Sequence, residues 1–498
     1  MTSAATLATY GSALLLEHRV GEHVDLVVLA VAVAAMLGSA RRAGDRRDRL
    51  ASFVVIPLSA AVAAEIGSLM TRHPLAGDTL FTLAISSPIW MRRFGARVGQ
   101  AGAMTTVPLV AILISPVPPQ SGASHVLWVA VAATIALGWV TAAEHVAQTV
   151  GSLRLAVPRA AALVRTDAAR TKSGPLTARL RPSTRMAVQM AASAGLAFAI
   201  GRALFPGHWN WMVLTAYIVC SGNRGRADVL YKGVLRVVGA SVGTAAAGAL
   251  ASRFAPGDPL SIVAIFAVLF VAGWLRPFNY AYWAGCITGA LALLYGYFGQ
   301  AGAHLLGERL EEILVGAVLA ILASSLVLPI KTRNVFRQRA ATALAALSDI
   351  LTALRSQPAE LKRHQRRFAT AVAELEQIEP PLRAYRRLLW RFRQRPSALD
   401  AIDVFRTCRR AAEAIASRAT ADPNRIRDLG MIIADTSMLV ASARRQLGNR
   451  ETHVLVPQDP SVELERCCVP PPATDQLGRA MAELHGAVRQ LPQLLGSR

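Results

Sequence analysis

From residue 24 to residue 330 the chain repeats one pattern, a long apolar run followed by a short loop. Lipid offers no water to backbone N–H and C=O groups, so runs of ~20 apolar residues satisfy those groups internally, as spanning helices. The clear runs are 24–40, 51–70, 78–91, 99–115 and 124–142, then 186–204, 209–221, 234–252, 259–275, 279–298 and 309–330. Residues 4–16 add a shorter apolar stretch, read either as a twelfth span or as an interfacial helix. Only 17% of the chain is charged, against about 25% in soluble domains. The expected fold is all-α: a polytopic membrane helical bundle of 11–12 spans.

Charge orients the bundle. The formal net charge is +23, which raises nucleic acid as a partner, but its distribution argues against one. With twelve spans, the loops on one side (41–49, 92–97, 154–185, 223–232 and Arg276) hold 20 Lys and Arg. The other side holds Arg19, Arg72, Arg202, Arg253 and Arg309. This split follows the positive-inside rule, so the basic loops face the cytoplasm and anionic lipid headgroups, and no nucleic acid is expected. Residues 331–498 have no spanning run and show apolar residues at helical spacing over 334–357, 360–394, 398–419, 424–447 and 474–494. They predict a C-terminal cytoplasmic helical domain, with 452–473 as a proline-rich connector. Runs such as Arg363-His-Gln-Arg366-Arg367 face either headgroups or solvent.

Several activities find no support. The cysteines (220, 286, 408, 467 and 468) lack metal-ligand spacing, and no metal or other cofactor is expected. Walker A, HExxH and nucleophile-elbow motifs are missing, so the chain reads as no enzyme. No cleavable leader precedes the first run, which is expected to insert uncleaved.

A short phrase occurs twice. Trp90-Met-Arg92-Arg93-Phe94 returns as Trp274-Leu-Arg276-Pro-Phe278, 184 residues later, each time between two apolar runs. Both copies fall on the cytoplasmic side, which predicts two parallel six-helix repeats related by an axis along the membrane normal. The expected division is a first repeat at 1–150, a basic linker at 151–185 around Gly174-Pro175, a second repeat at 186–330 and the cytoplasmic domain at 331–498. The phrase itself reads as a structural corner.

The second repeat is richer in chemistry. Pro206-Gly207 precedes His208-Trp209-Asn210-Trp211, and Ser221-Gly222-Asn223-Arg224-Gly225 ends the following run, leaving about twelve residues between breakers. Short, Gly/Pro-bounded segments at matching places in both halves point to a binding site; the first-half counterpart, Val24 to Leu37, has no aromatic residue. Arg236-x-x-Gly239-x-x-x-Gly243 follows, and its small residues favour close helix packing.

These residues resemble the fusaric acid resistance (FUSC) family. Trp209-x-Trp211-x-x-Leu214-Thr215 is similar to its W-x-x-L-T element, and Arg236-x-x-Gly239 through Gly243 to its R-x-x-G-T-x-x-G element. Arg309-x-x-Glu312-x-x-x-Gly316 with Pro329 resembles its last helix. Ala240 stands where the family has Thr. The resemblance covers about 179–345 and implies an inner-membrane exporter of small organic acids, aromatic carboxylates among them, driven by the proton gradient. It also implies kinship with aluminium-activated malate transporters, which are anion channels.

An aromatic carboxylate needs a cation and flat surfaces. The candidates for binding it are Trp209, Trp211, Thr215, Tyr217, Arg236, Arg276 and Tyr280, with Tyr282 and Trp283 as further surfaces and Arg202 at an exit. Proton coupling needs a titratable group away from bulk water, and Glu65, Glu312 and His208 are the candidates. Expected partners are a small organic anion, lipid headgroups, a second copy of the chain and a periplasmic adaptor protein. The rival functions are a passive anion channel and a membrane-anchored scaffold or sensor.

Overall fold

A computed structural model describes residues 2–20, 25–40, 46–114, 123–149, 180–251, 254–299, 303–356, 360–388, 398–419, 423–448 and 476–496. Gly174-Pro175, Pro396, Cys467, Cys468 and the expected connector at 452–473 lie outside these. The chain divides into a unit at Met1–Ile330 and another at Lys331–Arg498.

In the first unit every apolar run is a helix. In order they are α1 (Thr2–Val20), α2 (Asp25–Ala40), α3 (Arg46–Arg72), α4 (Pro74–Met91), α5 (Ala96–Ile114) and α6 (Ala123–Thr149). Then come α7 (Pro182–Leu204), α8 (Asn210–Cys220), α9 (Arg226–Ala251), α10 (Pro259–Leu275), α11 (Tyr280–Tyr297) and α12 (Ala303–Leu326). Segments 50–72, 125–147, 182–204 and 226–250 are each long and apolar enough to cross a membrane. The stretch at 4–16 belongs to a full helix of the bundle, where Ala5, Thr9 and Ala13 are buried and α1 packs on α2 and α6.

The packing repeats. Within the first six helices α1 meets α2 and α6, α2 meets α6, α3 meets α5 and α6, and α4 meets α5. Adding six to each number gives α7 on α8 and α12, α8 on α12, α9 on α11 and α12, and α10 on α11, and all these contacts exist, whereas α2 on α5 and α3 on α4 have no counterpart of similar size in the second copy. Six helices per repeat bring the chain back to its starting side, so the two copies run parallel. The Trp-x-Arg-x-Phe corners match as well. Trp90 meets Phe94 edge-on at 5.3 Å between centroids, and Trp274 meets Phe278 edge-on at 6.1 Å.

The seams between the repeats are unequal. Where α4 and α5 meet α7 and α8, one apolar core spans both repeats, with Ile66, Met70, Phe81, Ile85 and Leu113 packed among Met190, Phe198, Trp211 and Met212. The reciprocal seam, α10 on α1, is lighter, and α10 buries only Ser261 and Ala272.

The second unit comprises α13 (Thr332–Ser356), α14 (Leu361–Glu376), α15 (Glu379–Leu388), α16 (Ala398–Arg418), α17 (Pro423–Asp428), α18 (Gly430–Gly448) and α19 (Gln476–Gly496). Its helices are amphipathic. On α13, Ala340, Ala343, Leu344, Leu347, Ile350, Leu351 and Leu354 form one buried stripe. The helix expected over 360–394 divides at Gln377-Ile378. Pro380 and Pro381 lack N–H donors, which is tolerated only in a first turn, so a new helix starts at Glu379. Arg406 ties the pieces together through Glu376 at 3.0 Å and Glu379 at 2.8 Å.

Candidate functional site

The short α8 sets the site. Eleven residues rise about 16 Å, roughly half of a ~30 Å hydrocarbon layer, and breakers hold both ends. At its start the Asn210 side chain donates to the Leu113 carbonyl at 2.9 Å. At its end Gly222 and Gly225 adopt left-handed backbone at φ 62° and 119°. Asn223 Nδ2 there donates to Gln189 Oε1 at 3.1 Å, while Gln189 Nε2 caps the Ser324, Val327 and Leu328 carbonyls that close α12. Halfway along, α8 crosses α12 so closely that a Cβ on Gly316 would collide with the Met212 carbonyl and press on Thr215.

A second close approach positions Arg236. Gly239 and Gly243 of α9 lie against Ala281, Ala284 and Gly285 of α11, and a Cβ at either glycine would strike a carbonyl oxygen. The partner helix carries its own small face in Gly285 and Gly289. With no side chains between the backbones, Arg236, one turn before Gly239, reaches across to α11.

Arg236 is 0% exposed. Its Nη1 donates to Thr288 Oγ1 at 3.3 Å, whereas Nε and Nη2 find no partner among the described residues. The Tyr280 hydroxyl, an electrostatic neighbour of Arg236, is buried and also unpartnered. Leaving one buried polar atom unpaired costs ~1–3 kcal/mol, more for a charged group. The Nε–Nη2 edge is the fork with which arginine holds a carboxylate.

A second charged group lies along α8 and α12. Glu312 is 0% exposed, with both oxygens unpartnered. Arg309 is buried beside it, its guanidinium carbon 3.7 Å from the Tyr295 ring centroid and 5.4 Å from that of Trp211. Trp211 and Thr215 are buried in the same region.

The remaining candidates are dispersed. Trp209 caps α8 under the Arg202 guanidinium, 4.4 Å from its ring, and Arg202 itself is paired with Asp78 of α4 at 2.5 and 2.7 Å. That ion pair makes Arg202 part of the seam between repeats rather than a free exit cation. Tyr217 neighbours Thr106 and Arg92. His208 is half-buried at the turn before α8. Two candidates stand apart from these groups. Arg276 is exposed at the end of α10, 5.9 Å over Trp283, because α10 is peripheral. Glu65 stands on the exposed side of α3, since Ala63, Ala64, Ile66 and Ser68 take the buried positions around it.

Sequence reasoning passed over Thr288, Arg309 as a site residue, Tyr295, Asp78 and Gly285/Gly289. The last pair was readable, because Gly285-x-x-x-Gly289 repeats the spacing of Gly239-x-x-x-Gly243. Thr288, Tyr295 and Asp78 carry no local signal. Among the described residues no group of His, Cys, Asp and Glu is placed to hold a metal.

Residues 196–323 match the family model described as fusaric acid resistance protein-like. The second repeat therefore carries a fusaric acid resistance protein-like domain. It runs from the middle of α7 to the last turns of α12 and includes Arg236, Thr288, Arg309 and Glu312. No curated protein matches the chain. With helices apolar enough to cross a bilayer, the domain marks a membrane transport protein.

Proposed function

We propose that the membrane unit exports small organic acids, aromatic carboxylates among them, across the inner membrane against the inward flow of protons. One observation carries the reading: a fully buried arginine keeps an unpartnered Nε–Nη2 edge beside an unpartnered phenol, inside the bundle. Ionisable groups inside membrane helices are costly and mark substrate or ion paths. A carboxylate seated on Arg236 and Tyr280 would satisfy both orphaned groups and cancel the charge. The charge of the loops supports a cytoplasmic second unit, on the side from which an exporter would load.

The test is a panel of aromatic and aliphatic acids given to cells lacking or overproducing the protein. Overproduction should raise tolerance to some acids and lower their accumulation. Arg236→Lys, which keeps a charge but loses the planar fork, should weaken transport at least ~10-fold by the loss of one charge-assisted hydrogen bond. No change for any acid would sink the reading. Anion current without proton movement would favour a channel.

A further inference from the structure

The sites at Arg236 and Glu312 are chemically opposite. Arg236 offers unpartnered donors, whereas Glu312 offers two unpartnered acceptor oxygens. An ionised carboxylate buried without a donor is strongly disfavoured, so this arrangement suits Glu312 in its neutral, protonated form. Its counter-ion in the ionised form is already at hand. Arg309 stands three residues earlier on the same helix face, but here its guanidinium rests on the rings of Tyr295 and Trp211 and its Nε is unpartnered.

We propose that Glu312 is the proton-binding group of the transport cycle and that Arg309 is its switch. With a proton on Glu312, Arg309 rests on Tyr295 and Trp211; when the proton leaves, Arg309 turns to the carboxylate and holds it ionised. One proton is bound and one released per turn of the switch. The assignment of a coupling role rests on the export reading above, whereas the protonation switch is a property of the protein alone.

The surroundings leave few alternatives. On α12 itself, Glu308 and Glu311 act electrostatically on Glu312, but they are half-exposed and exposed, near the start of the helix. From α11 the only acid or base near it is Tyr295. The packed helix α8 carries Tyr217 and Cys220, both towards its far end, and α7 carries Arg185 and Arg202 near its two ends. On α9, Arg236 is engaged with Thr288, and Asp228 pairs with Lys232. The switch also adjoins a close helix crossing, because Gly316, one turn on from Glu312, meets the Met212 carbonyl and Thr215 of α8. A rotation of Arg309 off Trp211 is thereby felt by the short helix.

Infrared difference spectra of the purified full chain test the switch without substrate. Subtracting the Glu312→Gln spectrum from that of the wild type should leave one protonated-carboxyl band at mildly acidic pH, lost as pH rises. In Arg309→Gln the band should persist to distinctly higher pH, because the ionised form has lost its counter-ion. Absence of the band, or a titration unmoved by Arg309→Gln, overturns the proposal. Transport is read separately in liposomes with phthalate, an aromatic dianion that does not cross lipid unaided. Glu312→Gln should retain phthalate exchange at equal pH but lose accumulation driven by a pH gradient. Gradient-driven accumulation by Glu312→Gln overturns the coupling role. No phthalate exchange by the wild type overturns the export reading for this acid while leaving the infrared result to decide the switch.

Discussion

Arg236, Arg309 and Glu312 bring charge into helices whose other residues are nearly all apolar, and the protein spends little to neutralise them internally. Between them they leave Nε and Nη2 of Arg236, Nε of Arg309 and both Glu312 oxygens without partners. A purely structural role would be served by the arrangement at Arg202, which is bound to Asp78, the Met70 carbonyl and the Trp209 ring at once. The second unit shows a titratable side chain of the structural kind. His485 is buried against Thr436, Nδ1 to Oγ1 at 3.2 Å. Burial holds its imidazole below the ordinary histidine value, Asp435 opposes this and Arg489 adds to it. The unfolded chain therefore takes up the proton first as pH falls. Stability is intact above the ordinary histidine value, ~6.5, and declines as pH drops through it towards the lower folded value. Thermal melts of the full chain across this range should show that decline in the second unit, and His485→Gln should reduce it.

At the scale of elements, two kinds of contact hold the membrane unit. The α9–α11 contact depends on missing side chains. Gly243→Ala puts a methyl into the Gly285 carbonyl and should destabilise by ~1–3 kcal/mol, whereas Gly273→Ala on peripheral α10 meets nothing and should stay within ~0.5 kcal/mol. Thermal unfolding of the two purified variants checks the difference. The α4–α7 contact depends on a charge pair within an apolar seam. Asp78→Asn should lower the melting temperature because it strands Arg202. Arg202→Gln in the same chain should recover part of the loss, and a double-mutant cycle measures that coupling. A loss in the double variant equal to the sum of the singles would show that the pair contributes nothing.

The whole molecule is two units with separate cores. The second unit buries Phe336, Leu344, Leu347, Phe368, Phe405 and Leu484, among others, in a core of its own. Residues 331–498 expressed alone should therefore be soluble and helical and unfold cooperatively, as circular dichroism would show; a chain without a melting transition would contradict this. Within the first unit the sixfold shift of helix contacts joins two copies of one design, yet Arg236, Arg309 and Glu312 all lie in the second copy. A path that uses both copies thus has its chemistry on one side, and the first copy supplies the wall that α4 and α5 press against α7 and α8.

The sequence alone determined the all-α membrane architecture, the two parallel repeats and the helical second unit, because apolar run length, arginine placement and helical spacing are local properties that lipid and water read directly. It also singled out α8, since breakers act where they stand. Arg236 and Arg276 looked alike in the chain, each an arginine beside an apolar run. Only the tertiary structure separated them, burying one against Thr288 and leaving the other at the rim of α10. The same holds for Glu65 and Glu312, both within apolar runs, where the face each helix turns to its neighbours decided which carboxylate was packed inside the bundle. Arg309 on Trp211 and Arg202 on Asp78 join positions far apart in the chain. Such pairings depend on which helices pack, and packing is decided by the fit of whole faces rather than by the residues that end up in contact.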